Sequence, residues 1–223
     1  MKMFLKVGHR GAKAYEIENS LESFKKAVAL GANAVELDVQ KSKDGKLIII
    51  HDDNLKRVFG KDVLVNLTTL KELRQLTENK ILTLDEALRF IDKKVEKILV
   101  ELKKEGFEKK VLEIIKKGKL KDRVIIVSFH EQALAEVRRL DKENETGLIY
   151  AKHKNPIPTA LKLNAQYLIP LYRFVHTKNV EDAHKNNLKV IVWTINTRKD
   201  VREYIAKGVD GIASDKPDIL RTL

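Results

Sequence analysis

Three acidic residues, Glu36, Asp38 and Glu101, interrupt apolar runs of the sequence. Residues two apart on a strand share a face, so Glu36 and Asp38 project to the same side. Three carboxylates that meet at one place raise one another's pKa values unless a cation neutralises them. Carboxylate oxygens favour a hard ion over zinc, and we expect a divalent cation, with Mg²⁺ preferred and Ca²⁺ or Mn²⁺ as alternatives.

Two histidines and two basic residues accompany these acids. His9 and Arg10 follow the first apolar run of the chain, and His51 follows a later one. An imidazole with a pKa of ~6.5 can act as base or acid near neutral pH, so both histidines are candidates for acid–base catalysis. Arg10 and Lys103 would stabilise a phosphoryl group whose negative charge grows in the transition state. These residue types predict cleavage of a phosphodiester, with Trp193 as either a core residue or a further substrate contact.

These side chains can meet only if the fold brings several strand ends to one place. Nine short apolar runs are bounded by turn residues, and most are followed by a segment of helical period, as expected of buried parallel strands. The runs are Phe4 to Val7, Ala34 to Val39, Leu47 to Ile50, Ile98 to Leu102, Val124 to Ser128, Thr146 to Ile149, Tyr167 to Ile169, Val190 to Trp193 and Gly211 to Ala213.

Spacing separates the third run from the other eight. Only Gln40 to Lys46 lie before it, whereas a parallel crossover takes about a dozen residues or more. We therefore predict an antiparallel hairpin that turns at Lys43-Asp44-Gly45 and returns His51 to the side of Glu36. The other eight runs alternate with helices, which favours a closed barrel or a doubly wound sheet. We expect the α/β fold of a TIM (β/α)₈ barrel, whose functional residues gather at the carboxyl ends of its strands.

We expect residues 1–223 to form one domain, with a small hairpin-plus-helix elaboration at about 40–97 after the second barrel strand. That insertion carries two helical stretches, Thr69 to Thr77 and Leu84 to Asp92. Helix starts are predicted where a capping residue precedes an acidic residue by three positions. These pairs are Asn19 with Glu22, Thr69 with Glu72, Thr83 with Glu86, and Thr197 with Asp200.

The composition restricts the classes of binding partner and of catalytic site that the protein can have. Lys and Arg number 44 against 32 Asp and Glu, a net charge of +12, but the two signs are mixed along the chain and aromatic residues make up 6%. We therefore expect solvated helix faces and no nucleic-acid partner. The absence of Cys excludes thiol nucleophiles and Cys-bound metals. With no apolar run near the ~18 residues of a membrane span, and no secretory signal, we expect a cytoplasmic protein without stable membrane insertion.

A series of short motifs extends from Val7 to Pro217. The motifs are Gly8-His9-Arg10-Gly11, Glu18-Asn19, Val35-Glu36-Leu37-Asp38-Val39, Lys43-Asp44-Gly45, His51-Asp52, Glu101-Leu102-Lys103, Ser128-Phe129, Trp193-Thr194-Ile195-Asn196 and Gly208 to Pro217. In type, order and spacing this series resembles the glycerophosphodiester phosphodiesterase family of the phospholipase C-like barrel superfamily. The resemblance implies a βα barrel that uses a divalent cation to hydrolyse glycerophosphodiesters to an alcohol and glycerol 3-phosphate.

The resemblance also implies roles for individual residues. The implied metal ligands are Glu36, Asp38 and Glu101. The implied acid–base pair is His9 and His51, and the implied phosphate contacts are Arg10 and Lys103. The chain departs from the family pattern at Ile17, where a proline is usual, and at His130, where an acidic or amide residue is common. Its short insertion predicts a small lid and an open mouth.

Two other functions are compatible with the sequence. A lysophospholipase D or phosphoinositide-type phosphodiesterase of the same superfamily would need an apolar mouth or lid, for which only Val58 to Leu67 is available. A basic anion-binding protein without turnover would leave His9 and His51 without a role. No apolar helix face stands out as an interface, so the sequence indicates no particular oligomer.

Overall fold

Eight parallel strands close into a barrel in the computed structural model, which describes residues 3–221. Around the barrel the order is β1-β9-β8-β7-β6-β5-β4-β2, and pairing of β1 with β2 closes it. The remaining strand, β3, pairs antiparallel with β2 outside the barrel. The strands are β1 (Leu5–Gly8), β2 (Ala34–Lys41), β3 (Leu47–Ile49), β4 (Lys97–Leu102), β5 (Val124–Ser128), β6 (Glu145–Tyr150), β7 (Tyr167–Pro170), β8 (Lys189–Val192) and β9 (Gly211–Ser214).

Helices connect these strands, and the predicted TIM (β/α)₈ barrel with its extra hairpin is confirmed. The α-helices are α1 (Leu21–Ala29), α2 (Lys56–Phe59), α3 (Leu70–Leu76), α4 (Leu84–Ile91), α5 (Glu108–Lys117), α6 (Glu131–Leu140), α7 (Pro156–Lys162), α8 (Thr177–Lys185) and α9 (Arg198–Ala206). Short 3₁₀ helices span Val65–Leu67, Tyr172–Phe174 and Pro217–Leu220. None of the helices within residues 3–221 has the length and apolar character needed to cross a membrane.

Three of the four predicted helix caps are confirmed. Thr69 and Thr83 form capping boxes with the acidic residues three positions later, and Thr197 accepts a hydrogen bond from the amide of Asp200. The prediction at Asn19 is wrong, because Ser20 caps α1 by accepting from the amide of Ser23. Asn19 instead adopts a left-handed backbone conformation with φ of 58°, which directs its amide group away from the helix.

The insertion after β2 contains the predicted hairpin and the two predicted helices, α3 and α4. It also contains the four-residue helix α2. The apolar pattern did not predict this helix, because none of its residues is buried. A small apolar cluster packs the parts of this insertion against one another, and it consists of Ile48, Ile50, Leu55, Val65, Leu73 and Ile81. The hairpin thus returns the chain to the barrel mouth at His51, and α2 follows at its edge.

The barrel interior is apolar in its middle layers and polar at both ends. Alternate residues of each strand point inward, so every strand contributes to the packed centre. The buried central residues include Leu5, Val7, Ala34, Leu99, Ile125, Val127, Ile149, Ile169, Ile191 and Ala213. Lys97, Glu145 and Lys189 begin their strands at the amino end, whereas the predicted site residues lie at the carboxyl end.

Candidate active site

The three candidate metal ligands lie side by side at the carboxyl end of the barrel. Strand register places Asp38 on β2 directly beside Glu101 on β4, and Glu36 shares the inward face of β2. One carboxylate oxygen from each residue lies within 4.8 Å of the other two, and all three side chains are buried. Within residues 3–221 this is the only group of three or more His, Asp or Glu side chains arranged to hold an ion.

Burial and mutual repulsion shift the pKa values in this cluster. Burial raises the pKa of Glu36 well above its usual value, and the charges of Asp38 and Glu101 raise it further. Burial and Asp38 also raise the pKa of Glu101 to about 7, against the opposing effect of Lys103. For Asp38 burial acts in the same sense, but Arg10 and Lys103 hold its pKa below the usual range. Asp38 is therefore the carboxylate whose ionised form the neighbouring positive charges stabilise, whereas burial and repulsion disfavour the ionised forms of Glu36 and Glu101.

Two carboxylate oxygens of the cluster accept no hydrogen bond from the described residues. They are the buried atoms Glu36 Oε1 and Asp38 Oδ1, and Lys103 Nζ lies 3.6 Å from the second. Buried polar atoms are normally paired, and a buried carboxylate oxygen can be satisfied by a donor or by a cation. Oxygen-only ligands and surplus negative charge are what Mg²⁺, Ca²⁺ and Mn²⁺ require. The residues present therefore fit a divalent cation.

His9 follows β1 and is held from behind by an aspartate. Its Nδ1 lies 2.7 Å from Asp215 Oδ1, and Asn196 Nδ2 donates to the other oxygen of Asp215 over 2.8 Å. Burial alone would raise the pKa of Asp215, but the hydrogen bonds from His9 and Asn196 lower it to about 2. Because an ionised carboxylate only accepts, Nδ1 of His9 carries a proton and Nε2 faces the cluster, 3.9 Å from Glu36.

His51 has the same arrangement on the other side of the cavity. Its Nδ1 lies 2.6 Å from Asp52 Oδ1, and its carbonyl accepts a hydrogen bond from Gln40. Although burial opposes it, hydrogen bonds from Arg57 and His51 lower the pKa of Asp52 to about 2. The Asp52 carboxylate is therefore ionised at neutral pH and directs the Nε2 atom of His51 toward the cavity.

Arg10 and Lys103 supply positive charge to the same place. Lys103 Nζ donates to Glu101 Oε1 over 2.6 Å and lies 3.6 Å from Asp38. Arg10 Nε lies 3.2 Å from Asp38, and the amide of Arg10 donates to Glu36 over 2.8 Å. Gly11 makes this loop possible, because its φ of 83° is left-handed and a Cβ there would meet α1.

A cavity of about 120 Å³ collects these groups. Seven of the eight predicted site residues line it, and Asp38 is buried behind them. The opposite wall is apolar and includes Trp193 and Phe129, whose rings meet edge to face with centroids 5.6 Å apart. Trp193 Nε1 donates to the Ile169 carbonyl, so the ring presents carbon atoms to the cavity. A second cavity of about 280 Å³, between α7 and α8, has no acidic residue among its described lining.

Several residues that complete the site were not predicted. Asp215 lies in the last of the sequence motifs, but its contact with His9 was not predicted. Asn19 was expected to cap α1, but its Nδ2 donates to Asp38 over 2.8 Å. Glu18 reaches the site from the loop before α1, and Arg57 reaches it from helix α2, far away in sequence. The motifs contain Glu18, Asn19 and Asp215 but not Arg57, and none of these contacts is local in sequence.

Comparison with known proteins agrees with this geometry. Residues 9–219 match the model of the glycerophosphoryl diester phosphodiesterase family. A glycerophosphodiester phosphodiesterase of Caldanaerobacter subterraneus subsp. tengcongensis is 34% identical, over 98% of this chain and 97% of that protein.

Solved structures show the same likeness. A glycerophosphodiester phosphodiesterase of Thermotoga maritima is 33% identical with a TM-score of 0.85, over 98% of this chain and 97% of that one. A phosphodiesterase of Oleispira antarctica, solved in complex with the product sn-glycerol-3-phosphate, is 27% identical with a TM-score of 0.86, over 97% and 94% of the two chains. The chain described here thus belongs to the glycerophosphoryl diester phosphodiesterase family.

Proposed function

We propose that this chain hydrolyses glycerophosphodiesters to an alcohol and glycerol 3-phosphate, using a divalent cation and two histidines. One observation carries the proposal: two imidazoles, each with Nδ1 on an ionised aspartate, line the cavity that contains the buried carboxylate cluster. The product complex of the Oleispira antarctica relative supports the choice of substrate class.

The charge of the site explains why a cation belongs to it. Glu36, Asp38 and Glu101 together would carry three negative charges, against two positive charges on Arg10 and Lys103. The remaining negative charge would repel a phosphodiester, which is itself an anion. A divalent cation held by the three carboxylates would reverse the sign of the site and supply Lewis-acid polarisation of a phosphoryl oxygen.

The two histidines are placed to move protons. His9 and His51 each have Nδ1 occupied by an aspartate, so each presents Nε2 to the cavity as the reactive nitrogen. One imidazole takes the proton of the attacking hydroxyl and the other donates a proton to the leaving alcohol oxygen. The attacking hydroxyl is water or the neighbouring glycerol hydroxyl, and the second case gives a cyclic phosphate before hydrolysis.

The remaining wall residues bind rather than react. Arg10 and Lys103 line the cavity with their charges directed at its acidic side, where they would stabilise the phosphoryl oxygens. Trp193 and Phe129 form an apolar surface opposite them, which suits carbon atoms of the substrate. This division of the cavity into a charged side and an apolar side matches a substrate that joins a charged phosphodiester group to uncharged glycerol carbon atoms.

A single assay tests the proposal. The protein is stripped of metal with a chelator and incubated with glycerophosphocholine or glycerophosphoethanolamine. Mg²⁺, Ca²⁺ and Mn²⁺ are then added separately, and glycerol 3-phosphate is measured. We expect release only with an added cation, and none from a variant carrying both His9→Ala and His51→Ala. The absence of release with every cation would reject the enzymatic function, and full release from the chelated protein would reject the role of the cation.

A further inference from the structure

Arg57 lies outside the cavity but contacts residues behind two of its walls. It belongs to α2 in the insertion, and it is not among the residues that line the cavity. Its Nη1 and Nη2 donate to the two oxygens of Glu18, over 2.8 and 2.6 Å. Its Nε donates to Asp52 Oδ2 over 2.6 Å. One guanidinium therefore holds two carboxylates that come from different loops.

Each of these carboxylates holds a site residue in turn. The second oxygen of Asp52 accepts from Nδ1 of His51 over 2.6 Å. Glu18 Oε1 accepts from Arg10 Nη1 over 3.0 Å as well as from Arg57. The contacts thus form two short chains with a common origin, one ending on an imidazole and the other on a guanidinium of the cavity.

We infer that Arg57 is a positioning residue that orients His51 through Asp52 and Arg10 through Glu18. The inference rests on the proposed function for its effect on turnover, but the orientation of His51 is measurable without turnover. It assigns the short insertion a role beyond covering the barrel: α2 delivers one side chain that fixes two site residues relative to each other.

The contacts of Arg57 differ from those of an ordinary ion pair at the protein surface. Isolated ion pairs at the surface contribute little, and the Arg57 side chain is 47% exposed. Its partner Glu18 is only 7% exposed, however, and without Arg57 it would keep Arg10 and the more distant Lys13 as ion-pair partners but lose the hydrogen bond to its Oε2 oxygen. A planar guanidinium offers donors in fixed directions to both carboxylates, whereas a lysine ammonium is a point charge.

The other histidine shows why an additional residue is needed here. Asp215, behind His9, is fixed by Asn196, whose amide oxygen also accepts from the backbone amide of Asp215. Asn196 and Asp215 both follow strands of the barrel, β8 and β9. Asp52 follows a strand of the hairpin. Within residues 3–221 its carboxylate accepts side-chain hydrogen bonds from His51 and Arg57. Removing Arg57 should therefore release His51 while leaving His9 in place.

The test compares Arg57→Ala and Arg57→Lys with Lys56→Ala. Lys56 is the matched control, since it precedes Arg57 in α2, is exposed, and pairs only with Asp62 among described residues. With glycerophosphocholine and a saturating cation we expect Arg57→Ala to lower kcat about 10- to 100-fold, as the loss of groups that orient ligating or reacting side chains does. We expect KM to rise as Arg10 loosens, Arg57→Lys to recover part of kcat, and Lys56→Ala to equal wild type.

A second readout makes the orientation visible directly. Nitrogen-15 NMR of the imidazoles reports which ring nitrogen carries the proton, and a His51→Asn variant assigns the His51 signals. We expect the hydrogen-bonded Nδ1–H signal of His51 to be present in wild type and Lys56→Ala, and to be lost in Arg57→Ala. The corresponding signal of His9 should remain in all of them, because Asp215 is held independently.

The outcomes separate this inference from the proposed function. Wild-type protein without any turnover would reject the function, and the His51 signal would still decide the role of Arg57. An unchanged kcat and an unchanged His51 signal in Arg57→Ala would overturn the inference. Equal losses of kcat and thermal midpoint in Arg57→Ala and Lys56→Ala would also overturn it, as a general effect of disturbing α2. If Arg57→Ala does not fold, a folded Arg57→Lys with wild-type kcat and His51 signal would overturn it.

Discussion

Charged side chains occupy both ends of the barrel interior, but buried carboxylate oxygens without a hydrogen bond among the described residues lie only at the carboxyl end. At the amino end Glu145 pairs with Lys97 and Lys189 and accepts a hydrogen bond from Tyr167. At the carboxyl end, three carboxylates crowd together and two of their buried oxygens have no hydrogen-bond partner among described residues. Charge alone therefore does not mark a functional site in this barrel. A site is marked by charge that the protein's own residues leave uncompensated.

The two ends also each contain a histidine paired with an aspartate. His9 and Asp215 face the cavity at the carboxyl end, whereas His184 and Asp210 lie near the amino end. Asp210 also accepts from the amide of Val190, so it ties a helix to the barrel. The same pair of residue types thus lines the cavity proposed for catalysis at one end and supports the barrel at the other.

The largest expected effect comes from removing one carboxylate of the crowded end. We expect Glu36→Gln to lower kcat/KM by about 10²- to 10³-fold or more. The variant has one carboxylate fewer to hold the cation that would stabilise the negative charge of the transition state. The free energy of unfolding without cations should stay equal or increase, because repulsion is relieved. The measurements are steady-state kinetics and urea unfolding. A folded Glu36→Gln with wild-type activity would contradict the role of this end.

The two His–Asp pairs are distinguished by amide substitutions of their aspartates. Asp215→Asn should lower kcat roughly 10²- to 10⁴-fold, because an amide no longer selects the tautomer with Nδ1 protonated. Asp210→Asn should leave kcat near wild type and cost about 1–3 kcal/mol of unfolding free energy through a weakened buried contact. Kinetics and urea unfolding of both variants provide the check, and a similar kcat loss in both would remove the distinction.

Cations should stabilise the carboxyl end, and more so at higher pH. Because the folded pKa values of Glu36 and Glu101 lie above the usual 4.5, these two carboxylates bind more protons in the folded protein than in the unfolded chain between about pH 4.5 and 7. Their contribution to the stability without cations therefore falls as pH rises through that interval. Bound cations need deprotonated ligands, so the increase in thermal midpoint with Mg²⁺ or Mn²⁺ should be larger at pH 8 than at pH 5. Calorimetry at both pH values measures this, and Glu101→Gln is the control that should show a smaller increase.

The smallest effect on activity is expected at the amino end. Glu145→Gln leaves Lys97 and Lys189 without their counter-charge, and should cost about 1–3 kcal/mol of unfolding free energy. The kcat should stay within about twofold of wild type, because the apolar middle of the barrel separates the two ends. A kcat loss comparable to that of Asp215→Asn would show that the ends are coupled.

The sequence predicted the fold well because its signals were local. The gap of residues 40–46 excluded a parallel crossover and identified the hairpin, and the caps at Thr69 and Thr83 marked two helices of the insertion. Helix α2 was not predicted because it has only four residues and none of them is buried, so it shows no apolar period. The cap predicted at Asn19 was wrong for a related reason: Asn suits a cap and a left-handed turn equally well, and only its contact with Asp38 selects between them.

By itself, the sequence determined which strands carry polar ends, because a two-residue alternation fixes the face on which Glu36 and Asp38 lie. It also narrowed the fold to a closed barrel or a doubly wound sheet, since eight apolar runs separated by helices have few ways to bury both faces. Only the tertiary structure decided which side chains support the site: that Asp215 holds His9, and that Arg57 joins Asp52 to Glu18. These contacts join residues that are mostly far apart along the chain, so closure of the barrel and folding of the insertion over its edge create them.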